Sequence, residues 1–182
     1  MRLIATMIMA AFVTVMAASA QVNARRENQQ DRIAQGIGSG QLTAGETANL
    51  ETKEAAINQE VHTDRTLNGG KLTGQEKSTV NGQQNNLSKQ IYNDKHNSVT
   101  RPTPTTEVGA RRELQQQRIA NGVASGKLNA GQTARLEKSE SNLNKEIHTD
   151  RTANGGKLTA AEHKQVNHQQ NNLSARIYKA KH

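Results

Sequence analysis

Residues 64–76 read DRTLNGGKLTGQE, and residues 150–162 read DRTANGGKLTAAE. In both stretches a polar segment runs into a pair of glycines, and a Thr-x-x-Glu pattern follows directly. Glycine adopts the left-handed conformation that ends many helices, and threonine followed three residues later by glutamate forms a capping box that begins one. The sequence therefore predicts a helix, a short loop and a second helix at two places in the chain.

These two stretches belong to a longer internal repeat with an offset of 86 residues. Without any gap, 46 of the 73 positions in residues 24–96 are identical to their counterparts in residues 110–182. Between the repeats, residues 97–109 contain both prolines of the chain, Pro102 and Pro104, among threonines. Such a composition favours an extended spacer. We therefore expect repeat 1 at 24–96, a linker at 97–109 and repeat 2 at 110–182.

Each repeat also carries an earlier capping pattern, Thr43 with Glu46 in repeat 1 and Asn129 with Gln132 in repeat 2. Together the signals predict three helices per repeat, which in repeat 1 span 24–37, 44–65 and 74–95. Apolar residues recur at helical spacing along each of them, namely Ile33, Ile37, Leu50, Ile57, Val61, Val80, Leu87 and Ile91.

No alternating strand pattern occurs, so the predicted fold is all-α. It is a tandem duplication of a three-helix antiparallel unit with short glycine-containing loops. The apolar pattern leaves open whether the two copies form separate bundles or pack into one domain.

Residues 1–20 have the pattern of a signal peptide. Arg2 precedes a mostly apolar run from Leu3 to Met16, and small residues from Ala17 to Ala20 follow, as at a signal peptidase site. An uncleaved membrane anchor is the alternative, but the run is shorter than the roughly 20 residues that cross a bilayer. We expect an exported protein, periplasmic or secreted, that begins at Gln21 and has no membrane span after cleavage.

The composition of the chain excludes some kinds of site and indicates one kind of partner. The chain has no cysteine, which excludes disulfides and thiolate metal sites. Repeat 1 has nine basic and nine acidic residues, whereas repeat 2 has thirteen basic and six acidic. A basic surface on repeat 2 can attract an anionic polymer through its field. Because aromatic stacking residues are lacking, a solvated basic face is the simpler interpretation.

The interhelix segments also resemble the calcium loop of the EF-hand family, in which oxygen ligands and a glycine turn lie between two helices. The resemblance covers about 26 residues and implies Gly69 at the turn and Leu72 at the apolar position. It implies the following calcium ligands: Asp64, Thr66, Asn68 and Glu76 in repeat 1, and Asp150, Thr152, Asn154 and Glu162 in repeat 2.

The loops depart from that family in two respects. The second glycine of each pair makes them thirteen residues long, and each offers only two carboxylates. Glycines and a capping box alone explain the pattern without an ion. They do not explain Asp64, since a negative charge at a helix C-terminus is disfavoured by the helix dipole. We therefore keep a divalent cation, Ca²⁺, as the expected ligand.

Two residues before each aspartate stand His62 and His148, and His96 and His182 end the third helices, while His163 and His168 occur only in repeat 2. Because no two histidines are spaced four apart along a helix, we interpret them as helix-end residues rather than metal ligands. Tyr92 and Tyr178 are expected to pack against their helices.

The chain shows no cysteine nucleophile, no Gly-x-Ser-x-Gly elbow and no phosphate-binding loop. We also expect no pair of carboxylates among apolar residues. The sequence thus predicts a non-enzymatic, exported helical-repeat protein that binds Ca²⁺ through its loops. The alternative is a cation-independent interaction module that binds a cell-envelope polymer, a polyanion or a protein.

Overall fold

The computed structural model describes the backbone of residues 3–182 and the side chains of residues 20–182. Its helices are α1 Leu3–Ser39, α2 Ala44–Leu67, α3 Gly74–His96, α4 Glu107–Ala124, α5 Ala130–Ala153 and α6 Ala160–Lys181. This described part of the chain contains no strand, which confirms the all-α prediction. Six helices also fit the expected two sets of three.

Local capping bonds fix where the helices begin. At Thr43, Thr73, Asn129 and Thr159 the side chain accepts a hydrogen bond from the backbone N–H three residues later, and the Glu or Gln there bonds back to the cap. Two of the backbone N–H groups left free at each helix start are satisfied in this way. The predicted helix starts at 44 and 74 are therefore confirmed.

Two boundaries differ from the prediction. Helix α1 runs from Leu3 to Ser39 instead of starting at 24, because no glycine or proline interrupts the chain before Gly36. The side chains of the expected signal segment lie outside the described residues. Helix α4 begins at Glu107, inside the expected linker, because the Thr106 side chain accepts a hydrogen bond from Gly109 N–H.

Glycine is needed at the loops. Gly69 and Gly70 have φ angles of +61° and +87°, the left-handed conformation that lets α2 end and the chain turn into α3. Gly36 serves a different purpose, since a Cβ there would lie 2.6 Å from Leu42 Cδ1. Leu42 is fully buried, so the absent side chain makes room for it under α1.

The two repeats pack into one body. Helix α2 packs on α5 and α1 packs on α4, while α3 flanks α1 and α2, and α6 flanks α4 and α5. The predicted apolar stripes are buried, and the main apolar cluster joins Ile33 and Leu50 of repeat 1 to Ile119 and Leu136 of repeat 2. Each repeat alone has few apolar residues, so sharing one core buries more of them. The copies thus share a core instead of forming separate bundles.

The proline-containing segment is held against this body. Arg101 N–H donates to Gly40 O at 2.9 Å, and Arg101 Nη1 donates to Ile37 O at 2.7 Å. The same guanidinium makes two 2.9 Å bonds to the carboxylate of Glu113. Residues 97–106 are therefore anchored to both repeats.

None of the helices, over the residues that the structure describes, is both long enough and apolar enough to cross a membrane.

Candidate functional site

In repeat 1 the expected calcium ligands separate into two groups. Asp64 and Thr66 lie in the last turns of α2, where Thr66 Oγ1 donates to His62 O at 2.8 Å. Asn68 and Glu76 meet across the loop, because Asn68 Nδ2 donates to the two Glu76 carboxylate oxygens at 2.8 and 3.0 Å. Glu76 Oε2 also accepts from Thr73 N–H at 2.7 Å. The loop thus satisfies its polar groups with capping bonds.

Repeat 2 has the same geometry. Thr152 Oγ1 donates to His148 O at 2.8 Å, and Asn154 Nδ2 donates to both oxygens of Glu162 at 2.9 Å. Glu162 Oε2 accepts from Thr159 N–H at 2.7 Å. Both loops therefore bring Asn and Glu together. They leave the aspartate and the expected threonine ligand, Thr66 or Thr152, on the preceding helix.

The loops place carboxylates near one another, and this affects the pKa values of those carboxylates. The pKa of Asp64 is raised by partial desolvation and by the nearby carboxylates of Glu76 and Glu60. The pKa of Asp150 is raised in the same way, by desolvation and by Glu162 and Glu146. By contrast, hydrogen bonds from Thr73 and Asn68 lower the pKa of Glu76. Each loop thus holds like charges close together at the surface.

These carboxylates do not meet at one point. Among the residues whose side chains are described, no three His, Cys, Asp or Glu lie close enough together to hold a metal ion. An ion at either loop would therefore use the Asn and Glu oxygens with water, or would draw the aspartate across from α2.

The histidines lie at helix surfaces. His96 Nδ1 lies 2.7 Å from Tyr92 O, and the two rings stack with centroids 4.1 Å apart. His182 and Tyr178 repeat this arrangement at 4.3 Å. Tyr92 is 57% exposed and Tyr178 is 61% exposed, so the tyrosines pack along their own helices and lie outside the apolar core. Each ring covers the histidine one turn later.

The seam between α2 and α5 contains buried glutamates that the sequence analysis missed. Glu51 and Glu54 on α2, and Glu137 and Glu140 on α5, are all fully buried. The expectation that no carboxylates stand among apolar residues was therefore wrong. Their spacing in the sequence indicated this burial, because Glu51 and Glu54 continue the buried helical stripe between Leu50 and Ile57.

These glutamates are only partly hydrogen-bonded. Glu51 Oε2 accepts from Gln30 Nε2 at 3.0 Å, and Glu137 Oε2 accepts from Gln116 Nε2 at 2.9 Å. The Oε1 atoms of both are buried without a partner in the described residues. Burial raises the pKa of Glu51 and of Glu137 to about 8. At neutral pH these two side chains are mostly protonated.

The other two glutamates of the seam, Glu54 and Glu140, each lie near an arginine. Burial raises the pKa of Glu54 and of Glu140 to about 7, while Arg26 and Arg112 respectively oppose the shift. Carboxyl groups with such pKa values can serve as proton donors or acceptors near neutrality. These four side chains are enclosed by helices, however, so they do not form an open site. They form a contact between the repeats whose protonation state can change near neutral pH.

Comparison with known proteins adds no assignment, because no family model, curated protein or solved structure matches the chain.

Proposed function

We propose that this is a non-enzymatic, exported helical-repeat protein that binds a divalent cation, Ca²⁺, weakly at its two interhelix loops. The observation that supports the proposal is the presence of two further carboxylates near Asp64 and near Asp150, whose charges add to the larger effect of desolvation in raising the pKa of both aspartates. The same crowding occurs at equivalent positions of the two repeats. A bound cation would relieve that repulsion and the unfavourable placement of each aspartate at a helix C-terminus.

The hydrogen bonds of the loop set the expected affinity. In each loop the glutamate already accepts bonds from a backbone N–H and from the Asn amide, and an ion has to compete with them. Only two or three carboxylates lie near enough to contribute, and no chelating group is assembled beforehand in the described side chains. Binding should therefore fall in the range of extracellular calcium modules, with a Kd of about 10⁻⁴–10⁻³ M.

Thermal melts of the full chain with 5 mM Ca²⁺ and with chelator test this proposal. A ligand that binds only the folded state at about ten times its Kd stabilises it by roughly 1.4 kcal/mol per site. The double variant Asp64→Asn and Asp150→Asn should lose that shift. Asp31→Asn is the matched control, because Asp31 is exposed, lies outside the loops and is a glutamine in repeat 2. A midpoint that does not respond to 5 mM Ca²⁺ would refute cation binding.

A second candidate is a cation-independent interaction module for an anionic polymer. It is favoured by the uneven charge, since repeat 2 has thirteen basic and six acidic residues and repeat 1 has nine of each. Retention of the full chain on heparin should then fall steeply with salt, because Lys and Arg side chains that bind the polymer release its counterions. Retention that persists at 0.5 M salt, or no retention at low salt, would count against this module.

A further inference from the structure

A cleft of about 960 Å³ opens where the proline-containing segment crosses repeat 2, and its lining reaches Arg151 at the start of the second calcium-like stretch. Its lining includes the segment around Pro102 and Pro104 and, from α5, Lys145, His148 and Arg151. The first turns of α2 and α4 also contribute to its lining. Its volume is in the range of clefts that hold small molecules.

The charged residues that line this cleft are all basic. They are Arg101, Arg112, Lys145 and Arg151, and no acidic side chain joins them in the lining. The charge of Arg101 is neutralised by Glu113, but Lys145 has no hydrogen-bonding or ionic partner in the described residues. Three cations therefore face the cleft without a partner carboxylate in its walls.

Arg112 lies near two of the other cations, Arg101 and Arg151, which act on its pKa. Its Nη2 donates to Pro102 O at 2.9 Å, while its Nε is buried and has no partner among the described groups. Desolvation lowers the pKa of Arg112, and the nearby Arg101 and Arg151 lower it further, against the attraction of Glu140 and Glu113. Guanidinium groups held together in this way favour an oxyanion between them.

The rest of the lining is apolar. Of its apolar residues, Val108 and Ile147 are buried, whereas Val99, Pro102 and Pro104 are exposed. Proline rings and a valine cannot bind the repeating charges of a polyanion, but they can pack against a hydrocarbon chain. The cleft thus has a cationic side and an apolar side.

Repeat 1 lacks an equivalent. The counterpart of Lys145 is Gln59, and the position of the proline-containing segment is taken by the continuous helix α1. Arg112 and Arg151 have counterparts in Arg26 and Arg65 of repeat 1, so the cleft is specific to repeat 2 because of the linker and Lys145.

We propose that this cleft binds a small amphipathic anion, with a phosphate or carboxylate head at Arg112, Lys145 and Arg151 and an apolar chain along Val99, Pro102 and Pro104. The head pairs with guanidinium and ammonium groups through charge-assisted hydrogen bonds. The chain covers proline and valine surface that is otherwise exposed to water. The proposal does not rest on cation binding at the loops, although Arg151 lies between Asp150 and Thr152 in the sequence.

Calorimetric titration of the full chain with octyl phosphate and with octanoate tests the site and distinguishes the two head groups. Inorganic phosphate probes the head alone, and octyl glucoside, which is uncharged, probes the chain alone. We expect at least one octyl anion to bind, and both single-feature probes to bind at least about tenfold more weakly, since each forgoes either the charged contacts or the apolar contact. Equal binding of inorganic phosphate, or no binding of either octyl anion, would overturn the proposal.

Variants locate the binding. Lys145→Gln gives residue 145 the identity of its repeat 1 counterpart and breaks no contact, and it should weaken binding about tenfold. Adding Arg151→Gln should weaken it further. Lys138→Gln removes the same charge from an exposed position of α5 outside the cleft, and it should change the affinity less than about twofold. Equal losses for Lys138→Gln and Lys145→Gln, or displacement of the octyl anion by heparin fragments, would instead indicate general polyanion binding.

Discussion

Glu51 of α2 lies close enough to Glu137 of α5 for its charge to raise the pKa of Glu137. The two residues occupy equivalent positions in the repeats, and each is fully buried. Equivalent residues approach each other in this way where two like units pack face to face. The contact between the repeats is therefore built around two carboxyl groups that must stay mostly protonated.

The first prediction is that stability decreases as the pH rises. The pKa of Glu51 and of Glu137 is about 8 in the folded protein, against 4.5 for an ordinary glutamate. Between these values the unfolded chain has released protons that the folded protein still binds, so the free energy of unfolding falls as pH rises. Melting temperatures measured from pH 5 to pH 9 should decrease and level off above pH 8.

Glu51→Gln and Glu137→Gln identify the groups that cause this dependence. Glutamine resembles the protonated acid but does not ionise, so each variant should melt at least about 4 °C higher than the parent at pH 8. At pH 4.5 each should differ little from it. As a control, Glu27→Gln alters an exposed glutamate of α1, and it should not raise the melting temperature at pH 8 in the way that the two seam variants do. Stability that does not change between pH 5 and pH 8 would contradict a protonated seam.

The capping glutamates predict the opposite dependence in acid. Hydrogen bonds from Thr73 and Thr159 lower the pKa of Glu76 and Glu162 in the folded protein. Their contribution is present above the ordinary glutamate pKa and is lost as the pH falls through the folded value. The double variant Glu76→Gln and Glu162→Gln should therefore show a smaller loss of melting temperature between pH 5 and pH 3. If the variant loses as much melting temperature between pH 5 and pH 3 as the parent does, these caps contribute little to stability.

The shared core predicts that a single repeat is not an independent domain. Residues 21–96 alone lose the packing of α2 on α5 and of α1 on α4. Since α2 and α5 are equivalent, the fragment should regain a partner by dimerising. Its helical content and melting temperature, measured by circular dichroism, should rise with concentration, and sedimentation should show a dimer. A monomer that melts cooperatively, independent of concentration and near the full-chain midpoint, would contradict this expectation.

Two glycines should respond to alanine with opposite signs. A Cβ at Gly122 would lie 2.6 Å from Leu128 Cδ1, and Leu128 is buried, so Gly122→Ala should cost about 1–3 kcal/mol. Gly82 lies inside α3 with nothing within 4 Å of an added Cβ, so Gly82→Ala should stabilise by about 0.5–1 kcal/mol. Denaturant unfolding of both variants measures the difference. Similar effects of the two changes would mean that Leu128 moves aside.

The sequence by itself determined the helices. Thr43 and Thr73 begin helices through bonds that reach three residues, and Gly69 with Gly70 ends one through its own backbone freedom. Such signals are local, so they can be read without knowing the rest of the fold. The apolar residues at helical spacing were likewise found in the core, because a helix presents one face to its neighbours.

Only the tertiary structure decided which helices meet and what their contact contains. The stripes of α2 and α5 are compatible with separate bundles, and the choice of one shared core depends on contacts between residues about 86 positions apart. That choice buries Glu51 and Glu137, although their residue type predicts exposure. It also brings the proline-containing segment against α5, which places Arg112 and Lys145 in one cleft. The helix signals depend on hydrogen bonds within four residues, whereas burial and charge clustering depend on how distant segments fill space.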